Sequence, residues 1–173
     1  YKATFFDGEC AVIATDIPAE EQGTGMLFNM DGEVVGMISS SVWNDTGKNV
    51  VNAYGISDLK PIIELLINGK SVPYIGIYGT TVTEQLAEEH KMPSGIYVAD
   101  VDPDSPAMVA GIQIGDIICE ASGEEIKDIA AYQNIVIGSS VGETMEFVGK
   151  RLGSDGYVNI KFSVVTTEKE EVK

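Results

Sequence analysis

Three observations predict a mainly β fold with a few helices, divided into two units. From Tyr1 to about Ile56, short alternating or apolar runs are broken by turn signals, as strands are. A single helical run then closes on Asn68-Gly69, with Pro73 just beyond, which places a boundary near residue 70. From about Val72 to Thr167 a second set of strands and two helices begins anew.

In the first stretch the strands are Cys10 to Thr15, Gly25 to Met30, Val34 to Ser40 and Val50 to Tyr54. Asp31-Gly32 between two of them predicts a type I′ hairpin turn, which needs positive φ at both central residues. Ser57 and Asp58 offer an N-cap to a helix in which Leu59, Ile62, Ile63, Leu65, Leu66 and Ile67 recur at helical spacing. In the second stretch, a strand from Tyr74 to Tyr78 precedes a short helix near Glu84 to Glu89. Strands follow at Gly95 to Val101 and Ile117 to Ala121, then a helix from Asp128 to Ile137. A strand pair, Thr144 to Lys150 and Tyr157 to Val165, closes the unit, and the charged end of the chain, from Thr166, is expected to fray. The expected domains are 1–69 and 70–167, with a charged tail at 168–173.

Composition narrows the chemistry. The chain has 173 residues, 44% of them hydrophobic, enough for a packed core. Eleven Lys and Arg stand against 27 Asp and Glu, a formal charge of −16, so nucleic acid is not an expected partner. Cys10 and Cys119 lie in separate strand-like runs without metal-ligand spacing, and two buried thiols are expected rather than a metal site. No cofactor is expected. His90, the one histidine, sits in a charged stretch and reads as a solvated surface residue. No apolar run reaches the roughly 20 residues of a membrane span. The chain starts at Tyr1 without a methionine, so an upstream segment is expected.

The order Ser105-Pro106-Ala107, Ala110-Gly111, Gly115-Asp116-Ile117-Ile118 and Gly123 resembles the centre of PDZ domains of bacterial proteases. Gly111 and Gly115 fall where a helix stop and a tight turn need positive φ, and Asp116 can bond the turn backbone. The resemblance implies that Tyr74, Ile75, Gly76 and Ile77 form a loop binding a peptide's terminal carboxylate. It also implies that the peptide adds as a strand beside Ile75 to Tyr78, with an apolar last residue buried against the helix Asp128 to Ile137. Gly76 is read as a pivot where a side chain would obstruct the ligand, so that Gly76→Val would abolish binding and spare the fold. One of Ile75 and Ile77 is expected in the core. On the helix, Tyr132 and Val136 are the expected groove residues, with Ile129 and Ile135 as rivals.

Thr15-Asp16, Gly23 to Asn29 and Asp31 to Gly36 resemble the nucleophile region of HtrA/Deg serine proteases, which reads Gly-Asn-Ser-Gly-Gly-Pro-Leu. The resemblance implies a partial trypsin-like β-barrel followed by a PDZ-like β-sandwich or barrel capped by helices. The serine is missing: alignment from Asn29 puts Gly23 at its position, and alignment from Asp16 puts Thr24 there. No catalytic residue is therefore expected, and His90, downstream of this loop, lies in the wrong chain order to serve as a base. About 56 residues before the helix are too few for a closed barrel, and open edges predict association with another copy or with a missing N-terminal half.

The two resemblances together imply a binding module for peptide or protein C-termini attached to a degenerate protease fragment, which recruits or senses unfolded or extended polypeptides at an extracytoplasmic, bacterial envelope location. A second reading is the non-catalytic half of an active endopeptidase whose His and Asp lie upstream, with Thr24 as nucleophile. A third is a structural assembly module.

Overall fold

The computed structural model describes residues 1–18, 23–42 and 50–169. They form two compact units: residues 1–3 with 10–68, and residues 4–9 with Gly69 onward. The short segment Thr4–Glu9 thus packs with the second unit, far from it in sequence.

The first sheet has β1 (Lys2–Phe5), β2 (Gly8–Pro18), β3 (Gly25–Phe28), β4 (Val34–Ile38) and β5 (Val50–Gly55) in the order β1-β2-β5-β4-β3. Among the described residues the sheet does not close, so β1 and β3 end it. Cys10 and Val12 are buried on it in the alternation along β2, and Val51, Asn52 and Ala53 are buried in succession on β5. β1 is too short for periodicity to reveal and was not expected. The β3–β4 hairpin forms with Phe28 opposite Val34, but Asp31 does not take positive φ, as a type I′ turn would require. Gly32 alone does, at φ 80°. Asn29 explains the difference: its Oδ1 accepts from the N–H of Asp31 (3.0 Å) and Glu33 (2.9 Å), organising a longer loop.

Helix α1 (Ile56–Ile67) starts earlier than Ser57 or Asp58 would place it, with Gly55 at the N-cap and no side-chain cap. Asp58 serves instead in the first turn and accepts from the Ala11 N–H at 2.7 Å. The stop is as the residues predict: Gly69 takes φ 68° after Asn68, whose N–H bonds Leu65 O.

The second unit contains β6 (Pro73–Tyr74), β7 (Ile77–Val82), α2 (Glu84–His90), β8 (Gly95–Val101), α3 (Pro106–Ala110), β9 (Ile117–Ala121), β10 (Glu124–Glu125), α4 (Ile129–Gly138), β11 (Thr144–Gly153), β12 (Gly156–Val165) and β13 (Thr167–Glu168). Its main sheet runs β12-β11-β9-β8-β7, with β10 beside β9, and every pairing in it is antiparallel. β7 therefore ends the sheet. Tyr132 and Phe147, whose rings lie 6.4 Å apart, anchor a core with Ile75, Ile96, Ile118 and Met145. Three caps are made by residues whose types suit them. Ser105 accepts from Met108 N–H, Asp128 from Ala131 N–H, and Gly111 ends α3 at φ 88°.

Asp116 does more than hold its turn. Its carboxylate accepts from Gln113 N–H at 2.9 Å and takes a two-pronged ion pair from Arg151, Nε to Oδ1 at 2.6 Å and Nη2 to Oδ2 at 2.7 Å. Two expectations are corrected. Cys119 is only half-buried, whereas Cys10 is buried; both are free thiols. The end of the chain does not fray at Thr166, which is buried and donates to Ser140 O at 2.6 Å. Thr167 and Glu168 then pair with Tyr74 and Pro73, while residues 170–173 of the expected tail lie outside the described part.

Candidate functional site

The loop between β6 and β7 is built to turn its amides one way. Ile75 O accepts from Ala107 N–H, at the start of α3, and Gly76 O accepts from Asp102 N–H, both at 2.9 Å. With its carbonyls engaged there, the loop directs the N–H groups of Ile75, Gly76 and Ile77 together. Gly76 makes this possible by adopting φ 94°. A Cβ at that position would stand 2.3 Å from Ser105 Cβ. This corrects the pivot reading: Gly76 is required by its own backbone and by Ser105, so a β-branched residue there disrupts the loop itself rather than only the ligand's approach.

The three amides converge on a carboxylate. Asp7 Oδ2 accepts from Ile75 and Gly76 N–H, each at 2.7 Å, and Asp7 Oδ1 accepts from Ile77 N–H at 2.9 Å. The Tyr132 hydroxyl donates to the same Oδ1 at 2.6 Å. Four donors thus surround one buried side chain. Burial pushes the Asp7 carboxyl up, opposed by Tyr132 and the three amides, and burial beside Asp7 holds the Tyr132 phenol well above its usual range, so it stays a donor. Tyr74 donates its hydroxyl to Asp102, and Lys169 lies over its ring.

The residues read from the sequence therefore distribute as follows. Tyr74 is half-buried at the start of the loop, and Gly76 is in its bend. Ile75 and Ile77 both point into the core, not one of them. Tyr132 and Val136 are buried on α4, Tyr132 reaching the carboxylate through its hydroxyl; of the rivals, Ile129 is buried and Ile135 half-buried. Asp7 was missed. Asp7-Gly8 is a turn signal of the same kind as Asp31-Gly32, but nothing local points to amides 68 positions away.

Gly23 and Thr24 are exposed just before β3; residues 19–22 of that loop lie outside the described part. His90 is exposed at the end of α2, beside a cavity of about 340 Å³ lined by Thr81, Leu86, Met92 and Tyr97. Among the described residues no cluster of His, Cys, Asp and Glu could hold a metal ion, and no helix is long and apolar enough to cross a membrane.

Residues 97–151 match the PDZ domain family. The second unit holds a PDZ domain. Around it, the chain is homologous to HtrA/DegP-like serine proteases. It is 30% identical over 155 residues to a probable periplasmic serine endoprotease DegP-like of Halomonas elongata, covering 86% of this chain and 32% of the relative. It is 30% identical over 174 residues to the serine protease Do-like HtrA of Bacillus subtilis, covering 92% of this chain and 38% of that protein. The chain thus spans about a third of the length of the curated relatives it matches. Its fold is similar to that of the HtrA-type protease AlgW, solved with a decapeptide, with a TM-score of 0.55 at 21% identity over 86% of this chain and 46% of that one. The family match covers α4, and the amide-lined loop at Tyr74–Ile77 lies before its first residue.

Proposed function

We propose that this chain is a peptide-binding PDZ module that captures polypeptide C-termini ending in an apolar residue, carried beside a protease-like unit without its nucleophile. The observation that carries the reading is the convergence of the Ile75, Gly76 and Ile77 amides at 2.7–2.9 Å on one carboxylate. A peptide's terminal carboxylate has the same two oxygens and demands the same donors. β7, at the end of its sheet, offers an edge on which the peptide backbone continues as a strand, and α4 supplies the facing wall with Tyr132 and Val136. Homologues named as periplasmic proteases support an extracytoplasmic site of action at a bacterial envelope, where such a module recruits or senses extended polypeptides. The loss of serine at Gly23 or Thr24 supports an inactive first unit, with association to another copy or to an N-terminal half through the open edges of its sheet.

Calorimetric titration of the full chain with a pentapeptide ending in valine, as free acid and as C-terminal amide, tests the binding reading. The free acid is expected to bind at least about tenfold tighter, since each charge-assisted amide bond contributes roughly 1.5–3 kcal/mol. Equal, measurable affinities would sink it. A fluorophosphonate probe is expected to leave the chain unlabelled, and labelling at Thr24 would restore the endopeptidase reading.

A further inference from the structure

The carboxylate in the amide loop belongs to the chain itself, and its surroundings go beyond a chance hydrogen bond. Asp7 also donates its backbone N–H to Ile77 O at 2.7 Å, so the residue makes both a carboxylate contact and a strand-like contact with the start of β7. The neighbouring residues lock the same turn against the same two elements. Glu9 N–H bonds Gln133 Oε1 on α4 at 3.1 Å, and the Phe6 ring meets Tyr78 of β7 edge-on, with centroids 5.7 Å apart. Gly8 lies so close to α4 that a Cβ would come within 2.5 Å of Gln133 Cδ. Lys169 Nζ stands 5.1 Å from the centroid of the Phe6 ring. Asp7 itself takes φ 63°, a left-handed conformation that aspartate tolerates better than most residues.

We infer that the turn Phe6–Glu9 is an internal ligand: the Asp7 side chain occupies the carboxylate subsite between β7 and α4, and a peptide C-terminus binds only by displacing it. This inference rests on the reading of the loop as a peptide site. A side-chain carboxylate satisfies the same donors as a terminal one, and its tethering supplies it at a high effective concentration. The apparent affinity for an external peptide is then the intrinsic affinity reduced by the fraction of molecules with the turn released. The ligand this geometry selects must offer a carboxylate to three amides and the Tyr132 hydroxyl, and an N–H to Ile77 O, because those are the contacts Asp7 leaves vacant.

The test uses the full chain, wild type and Asp7→Gly, and a fluorescein-labelled pentapeptide ending in valine, as free acid and as amide, read by anisotropy. Asp7→Gly removes the carboxylate and suits the positive φ, so the turn is kept. Asp7→Asn, of the same shape, is the second variant, with circular dichroism to verify folding of each. The inference expects Asp7→Gly to bind the free acid about tenfold or more tighter than wild type, Asp7→Asn to change in the same direction by less, and the amide to stay weak throughout. If wild type and both variants bind the free acid equally and still reject the amide, the loop is a C-terminus site and the internal ligand is wrong. If Asp7→Gly binds acid and amide alike, the peptide-site reading fails and takes this inference with it.

Discussion

Asp7 and Tyr132, 125 positions apart in the chain, meet in a 2.6 Å hydrogen bond in which the phenol donates to the carboxylate. The pair joins the turn after β1 to the middle of α4, and it draws on a hydroxyl whose ring is fully buried beside Phe147. A buried phenol must find a partner, and a buried carboxylate must find several. Each supplies part of what the other lacks.

The coupling between them is measurable. In a double-mutant cycle of Asp7→Ala and Tyr132→Phe, followed by urea denaturation, the two effects are expected to be non-additive by about 1.5–3 kcal/mol, the range for a hydrogen bond to a charged acceptor. Tyr132→Phe alone should leave the fold intact, because its ring continues to pack on Phe147. Additive effects would mean that the contact contributes nothing to stability.

Gly76→Ala is expected to destabilise the second unit by about 2–4 kcal/mol, the sum of an αL-region penalty and local overpacking. The φ of 94° and the 2.3 Å approach to Ser105 Cβ both act on the free protein, so the loss appears in thermal unfolding without any peptide. An unchanged midpoint would contradict this account of the glycine.

Arg151→Met is expected to cost about 2–3 kcal/mol. It leaves the buried Asp116 carboxylate with only Gln113 N–H, and the partial exposure of Arg151, 33%, lowers the loss below that of a fully enclosed pair. The stack of Arg151 on Phe162, at 5.9 Å, is largely conserved by methionine, so the loss reads the ion pair. Asp116→Asn combined with Arg151→Met should recover part of it, and failure to recover would assign the effect to packing.

Acid should favour the buried, neutral form of Asp7. The carboxyl is pushed above its ordinary 3.8, chiefly by burial, with the Tyr132 phenol and the three amides acting against that rise. The folded chain then holds the proton to higher pH than the unfolded chain, so the stability linked to Asp7 is complete below 3.8 and is lost as pH rises through the raised value. The stability difference between wild type and Asp7→Asn is therefore expected to shrink from pH 4 toward neutrality in denaturant titrations. A difference that grew with pH would show that the hydrogen bonds to the charged form outweigh its desolvation.

Much of the architecture was legible in the residues, because strands, caps and helix stops depend on neighbours a few positions away. Gly111 and Gly69 each stop a helix as their type and place predict. The motif from Ser105 to Gly123 pointed by its spacing to a PDZ domain, and that resemblance implied a carboxylate site at the loop from Tyr74 to Ile77. The Asp31 turn failed for a reason of the same range: Asn29, two residues back, captured the backbone amides first.

What the sequence by itself determined is thus most of the elements and the PDZ motif, which are properties of local order and spacing. Only the tertiary structure decided that Gly76 is held by Ser105, that Ile75 and Ile77 both serve the core, that Arg151 closes on Asp116, and that Asp7 fills the amide loop. Those contacts join residues tens of positions apart. A hydrogen-bond donor set carries no record of which distant acceptor it will meet, since only the packed fold makes leaving either group unpaired costly.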